Sequence, residues 1–420
     1  MLQTQLLSDH CIKCNICTAA CPVAGVTDLF PGPKTVGPQA ERFRKPDAPS
    51  PDHSVAWCSG CGVCSRVCPH GVPVAEMNTI AKARLAGEKR VPLRDMLIAR
   101  PDLLGNISVP VASLANNSLR SGFVRLVLEK TLGIHPNAPL PPFAKRTFQR
   151  SLSSRNRPVG SGIPSLFKTI AESGAITESK QEIFYFHGCS TNYYEPFIGE
   201  ITIAVLEKFG YRVIAGEQGC CGLPLQSTGQ FKEARRYARR NIKHLVPYAK
   251  KGIPIVGTST SCTLMIKHEY QAVIGIKHPD TVPIAENTRD LFEFLWYEVG
   301  PERIKPHLQA ISPRRVFYHP PCQLKGHNAG TPALQIMRLI PDLDVVESTA
   351  ECCGIAGTYG MKSERFQIAL DVGQSLFAQA RETQAETLAC DSETCRWWMA
   401  SNLGQPVIHP VQILAQAMGD

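Results

Sequence analysis

The chain has 420 residues and a mass of 46.0 kDa, a length that leads us to expect two or three domains. With 43% hydrophobic and 19% charged residues it can fill more than one core and does not read as a disordered chain. Its 45 basic and 36 acidic residues give a net charge of +9 spread along the sequence. The 17 cysteines fall in tight clusters, and such clusters in so long a chain exclude a disulfide-stapled mini-protein. The start at Met1 to His10 shows neither a basic nor an apolar leader pattern. No uninterrupted apolar run of about 18 residues occurs, so no transmembrane helix is expected. A metal-bearing protein of a reducing compartment is the expectation that follows.

The first element is a pair of motifs, Cys11-x-x-Cys14-x-x-Cys17-x-x-x-Cys21-Pro22 and Cys58-x-x-Cys61-x-x-Cys64-x-x-x-Cys68-Pro69. Three thiolates at i, i+3 and i+6 on a tight loop can hold three corners of a cubane, and the fourth cysteine is expected to start a helix leading away. In paired ferredoxins of this spacing the fourth cysteine serves the other cluster. One [4Fe–4S] cluster is therefore assigned to Cys11, Cys14, Cys17 and Cys68, and the second to Cys58, Cys61, Cys64 and Cys21. Zinc also binds paired C-x-x-C motifs, but the doubled four-cysteine pattern is far more specific. The 36 residues between Cys21 and Cys58, and a helical pattern over 79–87, fit a helical ferredoxin module over 1–90.

Residues 91–180 hold no cysteine and many prolines, among them Pro92, Pro101, Pro110, Pro136, Pro158 and Pro164. No charge occurs between Leu103 and Leu119, and Arg120, Arg125, Lys130, Lys145, Arg146 and Arg150 follow. The segment fits an amphipathic contact with an anionic membrane or a partner subunit. It fits equally a linker packed across its own two flanking domains.

From about residue 181 the sequence repeats with a period near 133: Cys189 matches Cys322, Cys220-Cys221-Gly222 matches Cys352-Cys353-Gly354, and Cys262 matches Cys395. Each repeat (181–310 and 311–420) opens with a short apolar strand, at 183–186 and 316–318. Helices are expected at 198–209 and 333–340, then strands at 212–214 and 343–346. Longer helices follow each Cys-Cys-Gly, then strands at 253–257 and 387–390. The alternation predicts two α/β units with parallel sheets, each with its cysteines gathered at one sheet edge. His187 and His319 precede the first cysteine of each repeat; they are candidates for cluster-side ligands, proton carriers or hydrogen-bonded core residues. The basic run over 232–251 is either a dock for an acidic partner or lipid headgroup, or a solvated helix face. No nucleic-acid reader motif accompanies it.

Taken together, Cys11-Ile12-Lys13-Cys14, Pro31-Gly32-Pro33-Lys34, Phe186-His187-Gly188-Cys189, Glu351-Cys352-Cys353-Gly354-Ile355-Ala356-Gly357-Thr358-Tyr359-Gly360 and Glu393-Thr394-Cys395 carry a resemblance over nearly the whole chain. The sequence resembles the iron–sulfur subunits of the heterodisulfide-reductase and glycolate-oxidase type. The resemblance implies an α+β multidomain protein: a helical double-[4Fe–4S] ferredoxin module followed by two tandem α/β Cys-Cys-Gly repeats. It implies an electron-transfer subunit with no catalytic residue of its own and no flavin; a dinucleotide-binding G-x-G-x-x-G after a strand is absent. An FAD-containing dehydrogenase subunit would oxidise sn-glycerol 3-phosphate, and electrons would pass toward quinone at the cytoplasmic face of the inner membrane, with peripheral attachment. A glycolate or lactate oxidase subunit is the alternative substrate assignment, and a heterodisulfide-reductase-like catalytic subunit the alternative activity.

Relatives of the heterodisulfide-reductase type end each repeat in C-x-x-C around a non-cubane cluster. Here the ends are Ser259-Thr260-Ser261-Cys262 and Ser392-Glu393-Thr394-Cys395. Cys322, Cys352, Cys353 and Cys395 are a candidate further site and Cys189, Cys220, Cys221 and Cys262 a weaker one, the alternative being ligand-free thiols that form a redox disulfide or simply pack. Cys390 stands five residues before Cys395, away from the matching position.

Overall fold

The computed structural model describes residues 10–45, 48–88, 90–155 and 181–419. The first residues of the chain, and Pro158 and Pro164 of the middle region, lie outside the described residues.

Two four-stranded sheets, each wholly parallel, form the second half. The first comprises β1 (Glu182–Phe186), β2 (Arg212–Ile214), β3 (Ile255–Gly257) and β4 (Thr288–Asp290), in the order β2-β1-β3-β4. The second comprises β5 (Arg315–Tyr318), β6 (Asp344–Glu347), β7 (Thr387–Ala389) and β8 (Val407–Ile408), in the order β6-β5-β7-β8. Phe184, Phe186, Ile255, Val316, Phe317 and Leu388 are almost wholly buried, as expected of parallel strands covered on both faces. In each sheet the chain winds one way from β1 or β5 and then the other. The crevice at that reversal, outside the carboxyl ends of the strands, is where α/β folds bind ligands. β4 and β8 are outside the sequence-based expectation: β4 reads Thr-Arg-Asp, with no apolar run, and β8 is only two residues long.

The repeats pack on each other reciprocally. The helix Pro196–Lys208 of the first packs against Pro410–Ala417 of the second, and Pro332–Met337 of the second packs against Leu291–Phe294 of the first. Their apolar faces share one core that includes Val205, Leu206, Phe292 and Leu295 with Ala333, Met337, Val411 and Leu414. Polar contacts close the seam: His409 Nε2 meets the Thr258 carbonyl at 3.2 Å, and His327 Nε2 meets the Thr260 carbonyl at 3.0 Å.

His327 makes this seam acid-sensitive. Burial, reinforced by the charge of Lys267 and opposed by the Thr260 carbonyl and Glu293, lowers its pKa from 6.5 to about 4. Between those values the folded chain binds fewer protons than the unfolded one, so stability falls as the pH drops from 6.5 through 4. This one residue is expected to remove up to about 3 kcal/mol across that window. Thermal unfolding of the native chain and of His327→Gln checks it: the variant should show a shallower acid slope.

In the ferredoxin half, the helix expected at 79–87 spans Val74–Gly87 and buries Val74, Ala75, Met77, Ala81 and Leu85. The fourth cysteines do not start helices. Hydrogen-bonded turns follow them instead, Gly25 N–H to the Cys21 carbonyl and Gly71 N–H to the Cys68 carbonyl, both 3.1 Å. The helix after Cys68 begins only at Val74, beyond Pro73. Pro22 and Pro69 fix φ just after the cysteine, which suits a turn as well as a helix start.

The middle region is helical, with helices at Leu93–Ile98, Pro101–Ser108, Ala112–Arg120, Gly122–Leu132 and Phe148–Arg155. Pro101 occupies the first helical turn, where its missing N–H costs nothing. These helices bridge both repeats. Gly105 lies so close to the Tyr193 ring that an added Cβ would overlap it, and His135 stacks on Phe366 at 3.6 Å. Their outer side leaves Leu103, Ile107, Val111, Leu114, Phe123, Leu126 and Val127 exposed. Among the described residues, no helix is long and apolar enough to cross a membrane.

The basic helix Phe231–Ala249 buries Ala234, Ala238, Ile242 and Leu245. Much of its charge is used locally: Arg235 Nε donates to the Ile274 carbonyl, Arg236 pairs with Glu233, and Arg240 with Glu217. A solvated helix face accounts for the run.

Candidate metal centres

The two ferredoxin loops have the same backbone. Lys13 and Asn15 take φ of 62° and 73°, and Gly60 and Gly62, at the matching positions, take 76° and 81°. Left-handed residues on both sides of Cys14 and of Cys61 turn each loop sharply around its cysteines, and turns of this kind can present backbone N–H groups to anionic iron–sulfur groups. Cys11, Cys14, Cys17 and Cys68 line one cavity, with Ile16, Pro69 and Val72 among its walls. Burial raises the Cys17 thiol, and the neighbouring Cys11, Cys68 and Cys14 push it the same way against a hydrogen bond from Thr18. The second group is buried more deeply. Burial, then Cys58, Cys61 and Cys21, raise Cys64, and Cys21 itself is pushed to about 11, chiefly by burial. The structure thus places Cys68 with the first three cysteines and Cys21 with the second three. Both groups meet in one apolar cluster where Cys17 and Cys64 pack with Val72, Val74 and Met77.

The second group also borders the second repeat. Cys352 lies near enough to raise both Cys61 and Cys21, and Cys61 in turn raises Cys322. Aromatic and cationic side chains close this junction. Tyr359 Oη donates to the Trp57 carbonyl at 3.0 Å, and the Arg365 guanidinium sits 4.9 Å from the Tyr359 ring and 5.6 Å from Trp57. Lys82 Nζ donates to the Cys58 carbonyl at 3.0 Å, and Arg66 pairs with Glu351 at 2.9 Å. Lys82 and Arg365 both favour the thiolate of Cys58, against the burial that raises it.

Each repeat gathers its cysteines at the switch-point crevice. In the first, Cys189 follows β1, Cys220 and Cys221 follow β2, and Cys262 follows β3. Cys220 accepts hydrogen bonds from Cys189 and Cys221, which lower its pKa, and Cys221 is also hydrogen-bonded to Cys262; the Cys189–Cys220 Sγ separation is 4.0 Å. In the second, Cys352 is held low in the same way by Cys322 and Cys353. Here the Cys353 and Cys395 Sγ atoms are only 3.0 Å apart. A ring nitrogen of His319 completes a group whose ligand atoms all lie within 4.8 Å.

The two histidines differ. His187 Nδ1 meets the Gly188 carbonyl at 2.7 Å and its ring stands edge-on to Phe148. His319 Nδ1 pairs with Ser348 Oγ at 3.1 Å. Nε2 of each is buried without a partner, but only His319 joins a thiol group within ligand range among the described residues. The two thiol sets lie on either side of a bridge in which Ser259 Oγ donates to Glu393 at 3.1 Å. Glu195, bonded to Arg396 and to Trp397 Nε1, adjoins it.

All 17 cysteines are free thiols. A buried, sulfur-rich donor set with orphaned imidazole nitrogen fits a soft metal or an iron–sulfur group better than a hard cation. The partners that the sequence did not single out are Trp57, Lys82 and Arg365 at the junction, where Tyr359 stands out only as part of a motif, and Glu195 and Arg396 at the seam. Trp57 directly precedes Cys58, and Tyr359 lies in the segment after Cys-Cys-Gly, but their meeting across some 300 residues leaves no local signal.

Comparison with known proteins agrees with this architecture. A family model described as 4Fe-4S dicluster domain matches residues 8–72, and one described as cysteine-rich domain matches 183–267 and 316–400. This is an iron–sulfur protein that joins a dicluster ferredoxin module to two cysteine-rich repeats. A subunit of the anaerobic glycerol-3-phosphate dehydrogenase of Escherichia coli K12 is 32% identical over 412 residues, covering 98% of each chain. The chain belongs to the family of that dehydrogenase subunit. Two more distant relatives stand at 24% identity. One is a subunit of the fumarate reductase (CoM/CoB) of Methanothermobacter marburgensis, matched over 96% of this chain and 70% of the relative. The other is a subunit of the dihydromethanophenazine:CoB–CoM heterodisulfide reductase of Methanosarcina barkeri, matched over 92% and 87%. The cofactors of the ferredoxin module are two [4Fe–4S] clusters.

Proposed function

We propose that the chain is the electron-transfer subunit of a quinone-linked glycerol-3-phosphate dehydrogenase, taking electrons from an FAD-bearing partner. The observation that carries this is the unbroken succession of thiol sets. It runs from the exposed Cys14, through Cys21, Cys58, Cys61 and Cys64, to Cys322 and Cys352 of the second repeat. When bound, iron–sulfur clusters supply one-electron carriers at such positions. The four cysteines of each crossed set are the proposed ligands of the two cubanes, and Cys322, Cys352, Cys353 and Cys395 those of a further cluster. Trp57 and Tyr359 keep water from the junction, while Lys82 and Arg365 offset the negative charge that thiolates bring into a buried place. Cys189, Cys220, Cys221 and Cys262 lie on the far side of the Ser259–Glu393 bridge, and we assign them no cluster.

The exposed row Leu103, Ile107, Val111 and Leu114, with Phe123, Leu126 and Val127, is the proposed peripheral contact with the cytoplasmic face of the inner membrane. Exposed Arg120, Lys130, Lys145 and Arg146 around it suit anionic headgroups.

Co-purification with a flavoprotein, followed by anaerobic addition of substrates, tests the assignment. sn-Glycerol 3-phosphate is expected to bleach the cluster absorbance, and glycolate and lactate are expected to leave it unchanged. The reverse pattern would support a glycolate or lactate oxidase subunit instead.

A further inference from the structure

Cys390 stands outside every motif and repeat match, yet it ends in the thiol site of the second repeat. It follows β7, where its N–H donates to the Ile408 carbonyl at 3.0 Å, and its side chain is fully buried. Its thiol is hydrogen-bonded to Cys395, which is also bonded to Cys353 and to Ser392. We propose that the second repeat holds its iron–sulfur cluster with five thiols, Cys390 being the fifth, and that the first repeat holds none; this rests on the cluster site proposed above.

Three independent observations support the asymmetry. At an offset of 133, the residue matching Cys390 is Gly257. A Cβ added there would lie 2.7 Å from Thr263 Cγ2 and 3.1 Å from the Phe186 carbonyl oxygen, so the first repeat has no room for a fifth thiol. A ring nitrogen of His319, but not of His187, lies within ligand range of two thiols among the described residues. The ferredoxin thiols Cys21 and Cys61 border Cys352, so the thiol site of the second repeat adjoins a source of electrons. Ser392 and Cys390 both touch Cys395, one from each side of Asp391. A thiol at 390 therefore supplies what the serine at 392 does not.

The test measures iron, zinc and acid-labile sulfide per chain, with low-temperature electron paramagnetic resonance, on the full chain purified anaerobically. The native chain should hold about twelve irons, the content of three four-iron centres. Cys390→Ser should lose the signal of the third centre and roughly a third of the iron, while both ferredoxin signals persist and report an intact fold. Cys262→Ser should match the native chain. Moving the thiol, in Cys390→Ser with Ser392→Cys, should restore the third signal. A Cys390→Ser chain with native iron content and an unaltered third signal overturns the role of Cys390 alone. A native chain with about eight irons, or with zinc in place of the third centre, overturns the cluster site itself.

Discussion

Replacing Cys21 with alanine is expected to abolish the centre formed by the other motif, not the one formed by its own. Cys21 lies with Cys58, Cys61 and Cys64, and this set is the one that borders Cys352. Losing a direct ligand should cost more than the roughly 10- to 100-fold typical of a supporting residue, so electron transfer to quinone should fall by at least about 100-fold. The surviving ferredoxin signal should come from the exposed set, to which Cys14 belongs. A soluble paramagnetic ion should therefore relax it strongly. In Cys68→Ala the survivor should be the buried centre, which the ion scarcely reaches. If each substitution instead removed the centre of its own motif, the crossed arrangement would be wrong.

The second large effect is expected at Gly354. Its φ of 97° is open to glycine and costly for other residues, and an added Cβ would lie 2.0 Å from the Ala369 carbonyl oxygen and 3.1 Å from Gly373 N. Both neighbours are backbone of the helix Ser363–Thr383, so no side chain can swing aside. Backbone strain and overpacking together predict that Gly354→Ala destabilises the chain by about 4 kcal/mol. The matching Gly222 has φ of 92° but 3.3 Å to its nearest backbone atom, the Ala234 carbonyl oxygen. Gly222→Ala should therefore cost about 2 kcal/mol, most of it backbone strain. Denaturant unfolding of the two variants checks the order, and equal losses would mean that the helix approach at Gly354 is not the cause.

The ferredoxin cysteines and the twofold repeat are legible in sequence because each is fixed by local spacing: thiols three apart on one loop, and Cys-Cys-Gly recurring at a constant offset. The six strands anticipated near 183–186, 212–214, 253–257, 316–318, 343–346 and 387–390 rest on apolar β-branched runs, and strands occur at each place. β4, Thr-Arg-Asp, carries no such run, and its position is set by pairing with β3. The middle region looks broken by proline, yet its helices form because proline falls in first turns and tertiary contacts supply the rest. Junctions are the least legible. Nothing near Cys61 indicates that it meets Cys352, and Cys390 has no counterpart in the first repeat because a glycine occupies its place.

The proposed electron path requires the second repeat to continue the line that starts in the ferredoxin module. The direct measurement is electron paramagnetic resonance of the anaerobically purified full chain at graded reduction, with iron and sulfide counted on the same sample. A third centre, whose signal broadens or splits as the Cys21–Cys58–Cys61–Cys64 centre becomes reduced, is the result predicted, together with about twelve irons per chain. About eight irons, with only the two mutually coupled ferredoxin signals, would contradict it and leave both cysteine-rich repeats as scaffold.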